Sequence, residues 1–390
     1  MSEFFDYWQL LLIPAFFALG WLAGRLDMRQ VVHESRALPR SYFQGLNFLL
    51  NEQPDKAIDS FLEVARVDSQ TAELHFALGN LFRRRGETER AIRMHQNLLD
   101  LNDLDDKLRL LALLELGQDF LKAGLLDRAE EIFNKLLGTA QDEAAKRNLL
   151  EIYQLGKEWL KAVDIARELP DVATQREIAE YYCELAASEI MGSRPETARQ
   201  YLDKAMQENR LCVRASLLQG DLLLQEGRLE DALLSWQRIE QQAPVYLALV
   251  AQRLLETYRK LGRRDQGMAL LGGYLEHYPS LDLLEVVYQL MLESEGNEAA
   301  YRLVRGELQR NPTLLGLEKL MSARLPLVSP EVRGDVELAK TIIQGYTRRL
   351  SRYRCDNCGF KARQFYWRCP ACGGWETYSP RRGEEFDQSL

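Results

Sequence analysis

The chain has 390 residues, a formal net charge of −8 and six cysteines. This length exceeds what a single hydrophobic core usually supports, so we expect two or more structural units. The acidic balance excludes a generic nucleic-acid-binding protein but not a local basic patch. The low cysteine content excludes a disulfide scaffold and favours a reducing compartment.

An uncharged apolar run lies near the N-terminus, at residues 7–24, with the sequence YWQLLLIPAFFALGWLAG. Counted from Phe4, the segment holds about 20 residues, which as a helix would span the roughly 30 Å of a hydrocarbon core. Trp8 and Trp21 would lie at the two membrane interfaces, where aromatic side chains are enriched. We therefore predict a transmembrane helix over residues 1–24.

The charges that flank this run distinguish an anchor from a cleaved signal peptide. Glu3 and Asp6 precede the run and no lysine or arginine does, whereas a signal peptide begins with positive charge. Arg25 and Arg29 follow the run, and the positive-inside rule places that side in the cytoplasm. The sequence thus predicts a single-pass membrane protein with a cytoplasmic juxtamembrane linker at residues 25–40.

Residues 41–312 repeat one pattern of residue sizes. A small residue is followed by an aromatic or bulky residue, then by an alanine and a second bulky residue, with a period of about 34 residues. This spacing resembles the tetratricopeptide repeat, in which two antiparallel helices bury their apolar faces against neighbouring units. The clearest copies contain Gly45, Phe48, Ala57 and Phe61; Gly79, Phe82, Ala91 and His95; Gly117, Phe120, Ala129 and Phe133; and Gly220, Leu223, Ala232 and Trp236.

Charged turns with a glycine separate the predicted helices of each unit. RRRGETERA at 83–91 and QEGRLEDA at 225–232 are examples, and each places glycine where a helix ends. The resemblance implies an all-α helical solenoid that binds proteins or peptides and is not an enzyme. The four histidines form no recognisable metal or catalytic pattern, and Cys183 and Cys212, alone in helical patterns, are predicted to be small core residues.

The repeat pattern ends near residue 312. Pro312, Pro326 and Pro330 bracket one short predicted helix, and a second helix leads toward the C-terminal cysteines. We expect residues 313–350 to cap the solenoid, because a terminal unit needs a different outer face from an internal one.

Four of the six cysteines form two C-x-x-C-G pairs, namely Cys355 with Cys358 and Cys369 with Cys372. Two intervening residues allow one tight turn to direct both sulfurs at a single ion, and a short hairpin can join the two turns. Gly359 and Gly373 follow the pairs, where a left-handed backbone helps to close the turn. We predict a small rubredoxin-like or zinc-ribbon domain over residues 351–382, followed by a tail at 383–390.

The sulfur ligands indicate which metals the site would take. Tetrahedral sulfur ligation suits zinc or iron. A structural zinc site with four protein ligands has no open position for a reactive water, which excludes a zinc hydrolase. Iron could transfer electrons, but the loop between the pairs is much shorter than in rubredoxins and the sequence contains no partner redox motif. We therefore predict a structural zinc ion, with iron as the alternative.

Basic and aromatic residues surround these cysteines. Residues 348–382 contain nine lysines and arginines against two acidic residues. The interleaved aromatic residues are Phe360, Phe365, Tyr366, Trp367 and Trp375. Such a surface could bind single-stranded nucleic acid or anionic lipid, or it could fill the core of the ribbon and dock on an acidic solenoid. We favour docking on the solenoid and expect no nucleic-acid partner.

The order of these parts, together with RCDNCGFKARQFYWRCPACGGWETYSP at residues 354–380, resembles the bacterial lipopolysaccharide assembly protein B family. The resemblance implies an inner-membrane protein whose soluble domains face the cytoplasm. It implies an adaptor that helps the membrane-anchored FtsH protease to degrade the LpxC deacetylase, and so tunes lipopolysaccharide synthesis. It also assigns the family's metal ligands to Cys355, Cys358, Cys369 and Cys372.

Other functions stay compatible with the residues themselves. A general scaffold for envelope-assembly enzymes is the first alternative, and a nucleic-acid-binding zinc ribbon on a repeat scaffold is the second. The sequence shows no nucleophile motif, phosphate-binding loop or open metal site, so we do not predict an enzyme. The repeat pattern marks packing positions and leaves both the partner contacts and homo-oligomerisation open.

Overall fold

The structure, a computed structural model, describes residues 72–101, 104–169, 171, 173–347 and 353–382, together with scattered residues between 43 and 60. The predicted anchor, juxtamembrane linker and C-terminal tail lie outside these residues, as does Phe61 of the first repeat. Within the described part of the chain, no helix combines the length and apolar character that crossing a membrane requires.

Two compact units divide the chain, Met1–Ile152 and Tyr153–Leu390. Among the described residues, the helices with complete bounds that begin in the first unit are α1 Ala72–Arg84, α2 Thr88–Leu99, α3 Asp106–Lys122, α4 Leu126–Leu136 and α5 Asp142–Gly156. The helices of the second unit are α6 Trp159–Arg167, α7 Gln175–Met191, α8 Pro195–Glu208, α9 Val213–Gln225, α10 Leu229–Gln237, α11 Ile239–Gln242, α12 Ala251–Lys260, α13 Arg264–His277, α14 Leu281–Ser294, α15 Asn297–Arg310, α16 Leu314–Arg324 and α17 Pro330–Thr347.

Short 3-10 helices and strands complete the second unit. The 3-10 helices cover Pro244–Leu249 and Leu325–Leu327, and the strands are β1 Tyr353–Arg354 and β2 Lys361–Ala362. Successive helices pack as hairpins, for example α1 on α2, α7 on α8, α9 on α10 and α14 on α15. This arrangement confirms the predicted all-α repeat architecture with a small C-terminal ribbon.

Glycine ends the first helix of several hairpins in a left-handed conformation. Gly86, Gly124, Gly227 and Gly262 have φ angles of 80°, 76°, 78° and 71°. In each case the next residue donates its backbone N–H to a carbonyl five residues earlier, as Glu87 does to Phe82 at 2.9 Å. This is the Schellman termination that the charged glycine turns of the sequence predict.

The small residues of the repeat allow close contact with a bulky residue of the following helix. A Cβ atom at Gly220 would lie 2.2 Å from Nε1 of Trp236, and one at Gly117 would lie 2.6 Å from Phe133. Trp236 and Phe133 are both fully buried. In both hairpins a bulky buried side chain therefore lies directly over a position where only glycine fits.

His95 fills the same position in the second repeat and adds a buried polar contact. Its Nδ1 atom lies 2.5 Å from Oδ2 of Asp119, and Arg83 donates to the other carboxylate oxygen of Asp119 at 2.9 Å. All three belong to the first unit. His95 is a packed core histidine, in agreement with the sequence interpretation.

Two helices, α16 and α17, follow the last repeat. α16 packs on α15, and α17 packs on α16. α17 has no buried residue, and its exposed side includes Leu338, Ile342 and Tyr346. Residues 313–347 thus end the helical stack, while the outer surface of the last helix is more apolar than a simple polar cap.

Candidate metal centre

A short antiparallel ribbon brings the two cysteine pairs together. β1 pairs with β2, with Tyr353 opposite Ala362 and Arg354 opposite Lys361. Isolated bridges add Cys355 opposite Tyr378 and Arg368 opposite Trp375. Because of these few pairings the chain reverses direction, and the two C-x-x-C-G turns lie next to each other.

The two turns have the same backbone geometry. Gly359 donates its N–H to the Cys355 carbonyl at 2.9 Å, and Gly373 donates to the Cys369 carbonyl at 2.9 Å. Both glycines are left-handed, with φ angles of 74° and 72°. The predicted need for glycine after each pair is confirmed, because a residue with a Cβ atom is strained at these angles.

The four sulfurs form a compact set. The Sγ atoms of Cys355 and Cys372 lie 3.8 Å apart, those of Cys358 and Cys369 lie 3.7 Å apart, and all four lie within 4.8 Å of one another. A tetrahedral ion with metal–sulfur bonds of about 2.3 Å requires sulfur separations of about 3.8 Å. The set therefore fits one zinc or iron ion, and four protein sulfurs complete its tetrahedron.

Hydrogen bonds favour the thiolate form at two of the four cysteines. Burial alone raises the pKa of Cys355, but its contacts with the Thr377 hydroxyl and with backbone amides lower it to about 6. The Gly374 amide lowers the pKa of Cys372. At Cys358 a backbone amide acts in the same direction, but burial and the neighbouring sulfurs together outweigh it. The pKa of Cys358 is therefore raised to about 12. Because a metal ion binds thiolates, an ion at this site would displace the protons that remain.

Arg368 and Trp375 attach one side of the ribbon to the helices. Arg368 donates to the backbone oxygen of Gln154 at 3.2 Å and to its Oε1 atom at 2.9 Å. The Trp375 ring meets Trp159 and Tyr181 edge to face, with centroid separations of 5.8 Å to each. This geometry is favourable for aromatic pairs, and it holds the second cysteine turn against α5, α6 and α7.

Trp367 packs against the apolar core of the second unit. Its indole stacks on Tyr246 with ring centroids 5.5 Å apart, and the Arg214 guanidinium lies 5.8 Å from the indole centroid. Phe365 supports the indole from its edge at 4.9 Å. Trp367 therefore packs against the buried cluster of the helices as well as against its own ribbon.

Asp282 binds both ends of the ribbon at the start of α14. Its Oδ1 atom accepts from Nε of Arg382 at 2.7 Å, and its Oδ2 atom accepts from the Tyr353 hydroxyl at 3.3 Å. Arg382 is largely buried, and its pKa is raised by its hydrogen bond to Asp282 although burial lowers it. One carboxylate thus fastens the first strand and the last described residue of the ribbon.

The predicted docking of the ribbon on the helices is confirmed, and the aromatic residues divide between two tasks. The ribbon's own core contains Cys355, Cys369 and Tyr378, with Phe365 and Tyr366 packed beside them. By contrast, the Trp367 and Trp375 rings face the helices, and Phe360 is exposed.

The residues that receive the ribbon were not identified from the sequence. They are Gln154, Trp159, Tyr181, Arg214, Tyr246 and Asp282. The sequence marks one of these positions, because Pro244 interrupts the helical pattern just before Tyr246. The other receiving positions belong to regular helices, where a docking residue and an ordinary surface residue have the same spacing.

Cys183 and Cys212 are buried as predicted, but they are not alone. Their Sγ atoms lie 3.6 Å apart, and the Glu180 carboxylate completes a cluster whose ligand atoms lie within 4.8 Å of one another. Arg214 donates to Glu180 at 3.0 Å. Burial raises the pKa of Cys183, so its thiol stays protonated. We interpret this cluster as a buried polar contact, since the Arg214 guanidinium already hydrogen-bonds the Glu180 carboxyl group.

Comparison with known protein families gives matches in both the ribbon and the repeats. Residues 353–380 match the rubredoxin metal binding domain. Residues 44–94, 76–146 and 184–246 match the tetratricopeptide repeat. The ribbon and the helical hairpins described above thus correspond to two known sequence families.

Curated relatives match nearly the whole chain. The chain is 36% identical over 379 residues to lipopolysaccharide assembly protein B of Escherichia coli strain K12, covering 96% of this chain and 97% of that protein. It is 33% identical over 396 residues to the protein of the same name from Haemophilus influenzae, covering 96% of this chain and 98% of the relative. The similarity therefore includes the repeats and the ribbon together.

Proposed function

The chain belongs to the lipopolysaccharide assembly protein B family, and from this membership we propose that it is a non-enzymatic adaptor in lipopolysaccharide assembly. Its tetratricopeptide repeats are typical of proteins that bind other proteins. A tetrahedral ion held by the four cysteines would have no open position for substrate or water. The proposed role is thus to hold partners together rather than to transform a substrate.

The observation that carries this proposal is the docking of the ribbon across several hairpins. Contacts from Arg368, Trp367 and Arg382 reach residues on α5, the 3-10 segment Pro244–Leu249 and α14. A metal-stapled ribbon fixed to separate hairpins restrains their relative movement. It would preserve one arrangement of the helices for a partner to recognise, as a scaffold requires.

We extend the proposal to the partners that the family resemblance implies. The protein would be anchored in the bacterial inner membrane by residues 1–24, with its helical units in the cytoplasm, and would promote degradation of the LpxC deacetylase by the FtsH protease. Tethering to the membrane raises the effective concentration toward other membrane proteins, so that weak contacts suffice. We also propose that Cys355, Cys358, Cys369 and Cys372 hold a structural zinc ion.

The docked ribbon also bears on the nucleic-acid alternative. Arg368 and Arg382 are engaged by Gln154 and Asp282, and the Trp367 and Trp375 rings face the helices. Binding of a single strand needs free cations and exposed aromatic faces. Two of the ribbon's arginines and both of its tryptophans are thus already used, which supports a protein-binding role.

Depletion of the protein in its host tests the proposal. We expect the half-life of the LpxC deacetylase to lengthen and the lipopolysaccharide content to change, and the wild-type chain to restore both. The double variant Trp367→Ala and Trp375→Ala should restore neither, whereas Phe360→Ala, which changes an exposed ribbon aromatic, should restore both. An unchanged half-life after depletion would contradict the proteolytic role. Crosslinking that captures only synthetic enzymes would then favour a general envelope-assembly scaffold.

A further inference from the structure

A cavity of about 590 Å³ lies in the second unit, away from the four cysteines. The 3-10 segment Pro244–Leu249, the α13–α14 connection and the α15–α16 connection form its walls, and Arg381 of the ribbon contributes to its lining. This volume falls within the range of small-molecule sites in proteins. Neither the metal centre nor the adaptor role uses this space.

The walls of the cavity are predominantly apolar. Val245, Leu247, Leu281, Leu284 and Leu308 all line it. Leu247 and Leu284 are buried and belong to the apolar core of the unit, so this part of the wall is fixed by packing. A sugar or nucleotide would lose hydrogen bonds to water without replacing them here. A fitting ligand therefore has an apolar body.

The polar groups of the cavity favour a negatively charged head. The Ser280 hydroxyl is buried and has no hydrogen-bond partner among the described residues. Arg381 is exposed and forms no ion pair with any residue that the structure describes. Glu307, the acidic residue in the lining, accepts a hydrogen bond from Asn311 at 2.7 Å. The Arg381 guanidinium and the Ser280 hydroxyl are suitable partners for a carboxylate.

We propose that this cavity binds an amphiphile of the fatty-acid class, with its hydrocarbon chain between Leu247, Leu284 and Leu308 and its anionic head near Arg381 and Ser280. Arg381 directly precedes Arg382, which is fastened to Asp282. The docked ribbon thus supplies the cation, and ligand binding depends on docking. This inference concerns a ligand site and goes beyond the adaptor role.

A photoreactive dodecanoate analogue tests the proposal on the full-length protein in native membranes. After illumination, mass spectrometry should locate the label on the cavity segments 244–249, 277–284 or 307–316. Unlabelled dodecanoate should displace the analogue, whereas dodecyltrimethylammonium, which has the same chain and the opposite charge, should displace it at least about tenfold less well.

Two variants and a matched control sharpen the test. Arg381→Gln should weaken labelling about tenfold because a charge-assisted hydrogen bond is lost, and Ala248→Phe should abolish it by filling the cavity. Arg354→Gln, which removes an exposed ribbon arginine outside the cavity, should label as the wild type does. Circular dichroism establishes that each variant is folded.

Three results would overturn the proposal. The first is labelling spread over the chain with no enrichment at the cavity. The second is equal displacement by the cationic amphiphile. The third is displacement by an apolar peptide with a free C-terminal carboxylate but not by dodecanoate, which would assign the cavity to peptides.

Discussion

The indole of Trp367 stacks on the phenol ring of Tyr246, with centroids 5.5 Å apart and ring planes at 9° to each other. Trp367 lies between the two cysteine pairs, whereas Tyr246 lies in a 3-10 helix just before α12. A segment shaped by metal ligation is thereby joined to a segment shaped by helix packing. The stability of the ribbon and that of the helices of the second unit are consequently coupled.

Substitution of Trp367 by alanine measures this coupling. We expect the free energy of unfolding to fall by about 2 kcal/mol, less than for a fully buried tryptophan, because the side chain is partly exposed. The ribbon should also become more susceptible to limited proteolysis. Phe360→Ala is the control, since this ring is 41% exposed and its loss should change stability by less than about 0.5 kcal/mol. Equal effects of the two substitutions would contradict the prediction.

Removal of the metal should loosen the ribbon while the helices stay folded. The ribbon core is small, so we expect metal ligation to supply most of its folding free energy. After treatment with a strong chelator, tryptophan fluorescence should shift to longer wavelength as Trp367 and Trp375 enter water, while helical circular dichroism changes little.

The cysteine variants separate the metal ligands from the other buried thiols. Elemental analysis of the wild type should give about one zinc per chain, and Cys355→Ser should lose it because one ligand is missing. Cys183→Ala, which removes a buried thiol outside the site, should keep the metal. Retention of zinc by the Cys355 variant, or stoichiometric iron with a reversible redox couple in the wild type, would argue against a structural zinc site.

Trp236 packs so closely on Gly220 that no larger residue fits at position 220. The Cβ atom of Gly220→Ala would lie 2.2 Å from Nε1 of Trp236, a fully buried side chain that cannot move aside without disturbing its core. We expect a loss of about 1–3 kcal/mol in the free energy of unfolding, as for other overpacked cores. Urea denaturation measures it.

Gly272→Ala is the matched control for this substitution. Gly272 lies inside α13, and a Cβ atom there would meet no atom within 4 Å. Because alanine has the higher helix propensity, this substitution should stabilise the protein by about 0.5–1 kcal/mol. We therefore expect the free energy of unfolding to fall for Gly220→Ala and to rise for Gly272→Ala. Destabilisation of similar size at both positions would contradict the prediction.

The buried carboxyl of Glu180 should make stability depend on pH near neutrality. Burial raises its pKa from 4.5 to about 7, although the Arg214 guanidinium lowers it. The folded protein then binds more protons than the unfolded chain between these values. The contribution of Glu180 to the free energy of unfolding is therefore greatest below about pH 4.5. It is lost as the pH rises through 7. The full effect is on the order of 3 kcal/mol.

Glu180→Gln should flatten this part of the stability profile. A glutamine has no proton to lose, so the free energy of unfolding measured between pH 5 and about 8 should change less than in the wild type. Burial also raises the pKa of Glu376, so some slope should remain. Glu196→Gln, which removes an exposed carboxylate that pairs with Arg199 outside this cluster, serves as the control and should keep the wild-type slope. An unchanged profile in the Glu180 variant would contradict the prediction.

The repeats and the metal ligands could be predicted because each depends on spacing within a short segment. Gly220 and Trp236 lie at fixed positions of one hairpin, and helix geometry alone brings them together. Cys355 and Cys358 are likewise placed by one turn, with Gly359 closing it. The contacts between Cys183 and Cys212 could not be predicted in this way, because they belong to different hairpins.

The sequence by itself determined the helical hairpins, their glycine turns and the four-sulfur site, since these follow from local periodicity and from ligand chemistry. Only the tertiary structure decided where the ribbon rests. That choice depends on Trp159, Tyr246 and Asp282, which converge on Trp375, Trp367 and Arg382 after the helices have stacked. The cavity beside Arg381 arises in the same way. Contacts between remote segments depend on complementary shape and charge in three dimensions, so they cannot be predicted from periodicity along the chain.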